Sequence, residues 1–193
     1  MGRWEPNAQG RLEEAAIGLY AERGFDQTTV AEIAQRAGLT ERTFFRYFPD
    51  KCEVLFCGDG VLDNLFVRAV AGAADSASPI EAVATGLTAA SIFFEGRTRE
   101  RVRQRQAVIA AHARLQERDL ITFARFASGM AEALRERGVA TPAASLAAET
   151  GIVVLKVALR RWVDDTKNRD LAQHIRESLD ELKALAGGRP PNS

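Results

Sequence analysis

The chain has 193 residues, 46% of them hydrophobic and 27% charged, and its 26 Lys and Arg balance 26 Asp and Glu for a formal net charge of +0. This composition excludes a disordered chain and a non-specific, highly basic nucleic-acid coat, and the length suffices to bury a core without metal or disulfide staples. The best apolar run, Ile152 to Leu155, stops at Lys156, far short of the roughly 20 residues of a membrane span. No secretory signal is legible in Met1 to Gly10, so the expected location is cytoplasmic, with no membrane partner. Cys52 and Cys57 lie five apart and would point in different directions on one helix, so they are expected to be reduced and structural.

Apolar residues recur at intervals of three and four, with no strand-like alternation, which predicts an all-α fold of about nine helices. Helix one places Leu12, Ala15, Ala16, Leu19 and Tyr20 on one face and stops at Gly24, with Phe25 behind it. Thr29 and Glu32 form a capping box for helix two, whose buried stripe is Val30, Ile33, Ala34 and Ala37. Gly38 breaks the chain, Thr40 caps helix three, and Phe48-Pro49-Asp50 ends it. A fourth helix is predicted from Asp50 to about Ala73. Later starts fall at Ser78-Pro79 with Glu81, near Thr98, near Leu115, at Thr141-Pro142 and near Asn168, and the tail Gly187 to Ser193 is expected to fray.

The spacing divides the chain into residues 1–50, a compact front of three short helices, and residues 51–193, a larger helical body. Helices two and three, joined by Ala37-Gly38-Leu39, have the spacing of a helix-turn-helix. On helix three, Phe44 and Phe48 are four apart and suited to the core. Arg42, Phe45 and Arg46 share another face, with Thr43 beside it, where arginines can take guanine edges and an aromatic can meet thymine methyls. Thr29, Thr40, Tyr47 and Lys51 are expected phosphate anchors. A structural three-helix bundle with core aromatics is the alternative. Residues 1–53 carry seven basic and nine acidic side chains, so DNA affinity would rest on a local patch of Arg36, Arg42, Arg46 and Lys51, with Glu13, Glu14 and Glu22 turned away and a modest salt dependence.

The stretch from Gly24 to Leu55, GFDQTTVAEIAQRAGLTERTFFRYFPDKCEVL, resembles the DNA-binding domain of TetR-family transcriptional regulators. The matching features are the glycine-aromatic stop, the TTV-x-x-IA second helix, the A-G-L turn and the aromatic-rich helix ending in F-x-x-K. The resemblance implies double-stranded DNA as a partner, a homodimer, and a larger C-terminal domain for ligand binding and dimerisation, whose small-molecule effector alters operator affinity, with repression the usual outcome. It implies phosphate contacts from Thr29, Tyr47 and Lys51, and places Arg42, Thr43 and Phe45 nearest the bases. In the body, RQRQAVIAAHARLQERDL and VALRRWVDD resemble family members with acyl-CoA-type ligand domains.

Phe66, Phe93, Phe94, Phe123, Phe126, Met130 and Trp162 are candidates to line an effector cavity, or are plain core. Arg97, Arg99, Arg101, Arg103 and Arg105 are spaced by two and spread around a helix. They read as a solvated face paired with Glu95 and Glu100, or as a subset, with Arg103 the candidate, meeting an anionic group such as a CoA phosphate. Leu146, Thr150, Val153, Val157 and Trp162 on helix eight, with Leu171, Ile175, Leu179, Leu182 and Leu185 on helix nine, offer apolar faces for a four-helix dimer interface, or for internal core. His112 and His174 are isolated in sequence, and no metal site, cofactor or catalytic cluster is expected.

Overall fold

The structure, a computed structural model, describes residues 7–187; the expectations for residues 1–6 and for the tail 188–193 lie outside the described residues. Among the described residues there are only helices: α1 (Ala8–Arg23), α2 (Val30–Arg36), α3 (Glu41–Tyr47), a 3-10 turn (Glu53–Phe56), α4 (Asp59–Ala71), α5 (Pro79–Glu95), α6 (Arg99–Ala110), α7 (Ala113–Glu136), α8 (Thr141–Asp164) and α9 (Leu171–Ala186). The chain forms two compact units. The first runs to Asp59 and adds Glu100–Asp119; the second holds Gly60–Arg99 and the chain from Leu120 onward.

In the first unit, local chemistry sets each boundary. Gly24 takes φ 88 and its N–H bonds to Tyr20 O at 2.9 Å, ending α1 in a conformation that costs a side chain strain. Phe25 follows and packs on the Tyr20 ring, centroids 5.1 Å apart. Thr29 and Glu32 close the capping box of α2, and Gly38 at φ 65 turns the chain toward α3, which Thr40 caps through the Thr43 N–H. Leu12, Ala16, Leu19, Tyr20, Ile33, Phe44 and Phe48 form one core with Val54, Leu55 and Phe56 of the 3-10 turn.

Three sequence expectations change here. The single helix expected from Asp50 to Ala73 is a 3-10 turn followed by α4. Asp50 Oδ1 accepts the Cys52 and Glu53 N–H groups, and Gly58, about 1 kcal/mol poorer than alanine in a helix, falls in the break before α4. The α6 arginines are not a solvated stripe either. Arg101 pairs with Glu13 at 3.2 Å, Arg105 Nε donates to Leu55 O at 2.6 Å, and Arg118 at the start of α7 pairs with Glu53 at 3.0 Å. Val108, Ile109 and Leu115 enter the same core, so this part of the body sequence folds with the front, and the expected boundary at residue 50 falls inside the first unit. Arg103 keeps the expected pairing with Glu100, at 2.6 Å; the Glu95 side chain lies outside the described residues.

In the second unit α5, α8 and α9 pack against one another. A Cβ on Gly151 would stand 2.3 Å from Val83 Cγ1, and one on Gly86 would stand 3.3 Å from the Phe66 carbonyl, so bare backbone is what lets these helices approach. The helix α8 also corrects the reading that no segment is long and apolar enough for a membrane: by length and composition it is, because Lys156 is its lone interruption between Gly151 and Leu159. Half of its apolar window is nevertheless buried inside the protein, as in a core helix. At its end Asp170, rather than Asn168, caps α9 by accepting the Gln173 N–H at 2.6 Å, while Asn168 makes a left-handed turn at φ 59.

Candidate nucleic-acid interface

The outer face of α3 is fixed by what its inner face buries. Phe44 and Phe48 are buried in the front core, which turns Arg42, Phe45 and Arg46 outward. Phe45 is 54% exposed, held edge-on to Phe44 with centroids 5.4 Å apart. Burying that ring against a base or sugar would recover apolar area that water now covers. The Arg46 guanidinium lies 5.0 Å from the centroid of the exposed Tyr47 ring and donates to its hydroxyl at 3.3 Å. Arg42 is exposed and makes no hydrogen bond or ion pair with the described residues. Thr43 is half-buried, its Oγ1 3.0 Å from that of Thr40. Arg42, Thr43, Phe45, Arg46 and Tyr47 thus come together on one short helix.

The remaining expected contacts are occupied from within. Lys51 Nζ donates to Phe25 O and Thr28 O at 2.8 Å each and to Asp26 O at 3.3 Å, and lies 4.6 Å from the centroid of the Phe25 ring. Its three N–H bonds are matched by three carbonyls of the α1–α2 connection, so Lys51 is a clamp on that connection and not a free phosphate anchor. Arg36 makes a double hydrogen bond with Glu22, 2.6 Å at each nitrogen, which also holds the Glu22 carboxyl below its usual range. Glu22 is therefore not turned away from the patch, as expected, but neutralises one of its cations. Thr29 Oγ1 accepts the Glu32 N–H, and Glu32 Oε2 in turn accepts the Thr29 N–H at 2.8 Å and hydroxyl at 2.9 Å; these last two bonds, then Arg23 at 2.9 Å, hold the Glu32 carboxyl low. Thr40 Oγ1 accepts the Thr43 N–H at 3.1 Å. Of the expected patch of Arg36, Arg42, Arg46 and Lys51, Arg42 and Arg46 still face outward.

Several positioning hydrogen bonds have no periodic sequence signal. Arg11 donates from α1 to the carbonyls of Ala37 and Gly38, fixing the turn between α2 and α3. The Tyr20 hydroxyl donates to Lys51 O at 2.6 Å, and burial pushes its phenol well above the ordinary range. His112, after α6, stands 3.0 Å from Asp26 Oδ1 and edge-on to Phe25, so it is not isolated in space. Backbone acceptors and long-range partners of this kind are invisible to a spacing argument.

Residues 12–56 match the family described as bacterial regulatory proteins, tetR family. That region is a DNA-binding domain of the TetR type. The regulator TcmR of Streptomyces glaucescens is 32% identical over 73 residues, 38% of this chain and 32% of that protein. The matched part of the chain spans about a third of the length of such curated relatives. Solved structures share the whole fold. A SmeT–triclosan complex superposes with a TM-score of 0.61 at 20% identity, covering 92% of this chain and 90% of that one. FadR of Thermus thermophilus, a TetR-family repressor solved with lauroyl-CoA, gives 0.53 at 24% identity over 96% of each chain.

The candidate effector residues fall into two aromatic groups, both in the second unit. Phe66, Phe126 and Phe123 meet edge-on, with centroids 5.2 and 6.2 Å apart; Phe93, Phe94 and Trp162 form the other group, at 5.3 and 6.1 Å. Phe66, Phe126, Met130 and Trp162 are buried, while Phe93, Phe94 and Phe123 are half-buried. Arg103 belongs to the first unit, where it is exposed and paired with Glu100. Of the expected interface residues, Leu171, Ile175 and Leu179 are buried in the second unit's own core, as is Trp162. Helix periodicity groups α9 residues on one face without saying what covers that face, and here α5 and α8 cover it. Val153 remains exposed with Leu146 and Leu185, and Val157 and Leu182 are half-buried.

Proposed function

We propose that the protein is a ligand-responsive, sequence-specific transcriptional regulator that represses from a pseudo-palindromic operator and is released by a small hydrophobic or acyl-CoA-like effector. The observation that carries the reading is the solvent face of α3, where Arg42, without a partner among the described residues, and an exposed Phe45 stand beside Arg46 on a capped helix after a tight turn. A guanidinium suited to a guanine edge and a ring suited to thymine methyls supply base discrimination; Tyr47 and Thr40 supply backbone contacts. The matched family residues, 12–56, cover this whole motif.

A pseudo-palindrome requires two readers. The copy-to-copy surface is assigned to Leu146, Val153 and Val157 of α8 with Leu182 and Leu185 of α9, the apolar side chains those helices leave uncovered. Two recognition helices then fall about 34–36 Å apart, one DNA turn. The effector is assigned to the aromatic groups of the second unit, in line with the lauroyl-CoA and triclosan held by proteins of this fold. It acts only through its differential affinity for the DNA-competent and incompetent states. No enzymatic step is assigned.

Selection of random duplex DNA on the full-length protein at fixed, moderate salt tests the reading. Enrichment of a pseudo-palindrome with half-sites one helical turn apart supports it. Recovery of no shared motif leaves a helical ligand-binding protein without a reader, and the proposal fails.

A further inference from the structure

The connection between α8 and α9 holds a polar cluster around one buried histidine. His174 is 1% exposed, and neither ring nitrogen has a hydrogen-bond partner. Its Nε2 stands 3.7 Å from Asp165 Oδ1 and its Nδ1 stands 3.9 Å from Glu177 Oε2. Both carboxylates are already engaged. Arg169 donates to Asp165 through Nε at 2.9 Å and Nη2 at 2.7 Å, and reaches Glu177 at 3.0 Å; Gln173 also donates to Glu177 at 3.0 Å. Arg99, at the first residue of α6, donates to the carbonyls of Asp165 and Arg169 and lies 3.6 Å from the Asp165 carboxylate. The charged groups facing the ring are therefore Arg99, Asp165, Arg169 and Glu177.

A neutral imidazole has one N–H and one bare nitrogen. With a carboxylate beyond each nitrogen, whichever tautomer forms leaves a bare nitrogen facing an acceptor. A doubly protonated ring would present a donor to each carboxylate, but it would be a third cation beside two arginines on a ring that solvent does not reach. Burial and the two arginines together outweigh the two carboxylates, and the imidazole is held below its ordinary pKa. The ring is thus neutral while the cluster is closed, and a proton is accommodated by admitting water and loosening the arginine ties on Asp165.

We propose that His174 is a proton-sensitive latch on the α8–α9 corner: neutral, it keeps the corner closed, and protonated, it opens it. The sign follows from linkage. A base whose folded pKa is depressed contributes stability that is complete above the unfolded value of about 6.5 and is lost as pH falls from there toward the folded pKa. The latch does not rest on the regulator reading. Its effect on pairing through α8 and α9, and so on operator affinity in acid, does.

The test compares the full-length protein with His174→Gln and His174→Phe between pH 7.5 and 5, by thermal unfolding and sedimentation. The wild-type folding constant is expected to fall relative to both variants by up to tenfold per pH unit below about pH 6.5. Parallel pH profiles for all three proteins overturn the latch. Ring-proton NMR of the wild type gives a reading that needs no His174 variant, with His112→Gln used only to assign the other histidine. A midpoint below that of a free imidazole, with coincident shifts at Arg99 and Arg169, is expected; a free-imidazole midpoint overturns it. A latch that operates without any change in sedimentation or operator affinity refutes the pairing surface and leaves the latch standing.

Discussion

Lys51→Met separates two roles that the same residue type would serve at this position. As a phosphate anchor, Lys51 would contribute to operator affinity and leave folding almost untouched. In the structure its ammonium instead holds three carbonyls of the α1–α2 connection, two of them at 2.8 Å, above the Phe25 ring. Hydrogen bonds to charged groups contribute about 1.5–3 kcal/mol, but these are partly exposed and share one donor group, so a total near 2–3 kcal/mol is the expected loss. At about 2–4 °C per kcal/mol for a chain of this size, the melting temperature should fall by roughly 4–12 °C. Methionine keeps the stem, so lost packing adds little. Thermal unfolding measures the first quantity, and the slope of log affinity against log salt measures the second. An anchor would lower that slope by about 0.9 per reader, whereas a clamp leaves it unchanged. Unaltered stability with a reduced salt slope would refute the clamp.

Other outcomes follow from the same geometry. Gly151→Ala should destabilise by about 1–3 kcal/mol in chemical denaturation, since its Cβ would stand 2.3 Å from Val83 Cγ1, and Val83→Ala should relieve much of that loss. Arg36→Ala should change operator affinity far less than a free groove cation would, because Arg36 is spent on Glu22; a tenfold or greater loss by anisotropy would place it on the DNA. Leu146→Glu with Val153→Glu should shift sedimentation to monomer while leaving the helical content intact; an unchanged oligomer moves the interface elsewhere. Burial works against the charged form of Asp165, but its hydrogen bonds from Arg169 prevail and bring its pKa down to about 2. A depressed carboxylate contributes stability above its unfolded value of about 3.9 that is lost as pH falls toward 2, so Asp165→Asn should flatten acid unfolding over that window. An equally steep acid limb in the variant would show that the carboxylate does not contribute.

The front of the molecule was legible because its determinants are local. The Thr29–Glu32 box, the Gly24 and Gly38 turns, and the four-residue interval of Phe44 and Phe48 each act within one or two turns of chain, and together they fix which way Phe45 faces. What was not legible depends on partners distant in sequence. Nothing near Lys51 announces that three carbonyls 23 to 26 residues earlier will converge on it. Nor does the every-other-residue arginine pattern reveal that Arg101 and Arg105 serve α1 and the 3-10 turn while Arg99 serves the α8–α9 corner. Periodicity identified Ile175 and Leu179 as one face of α9, but burial by α5 and α8 decided that the face was internal. The histidines read as isolated because their carboxylates, Asp26 and Asp165, lie 86 and 9 residues away along the chain.

The central claim is that the outer face of α3 reads bases. It is tested most directly by selecting random duplex DNA on the wild type and on Arg42→Ala in parallel, at one salt concentration. The account predicts a two-fold-symmetric motif for the wild type. In the variant, information should be lost at one symmetry-related pair of positions, with a cost of about 1–3 kcal/mol there and little change elsewhere. An identical motif and affinity for both proteins would contradict the claim.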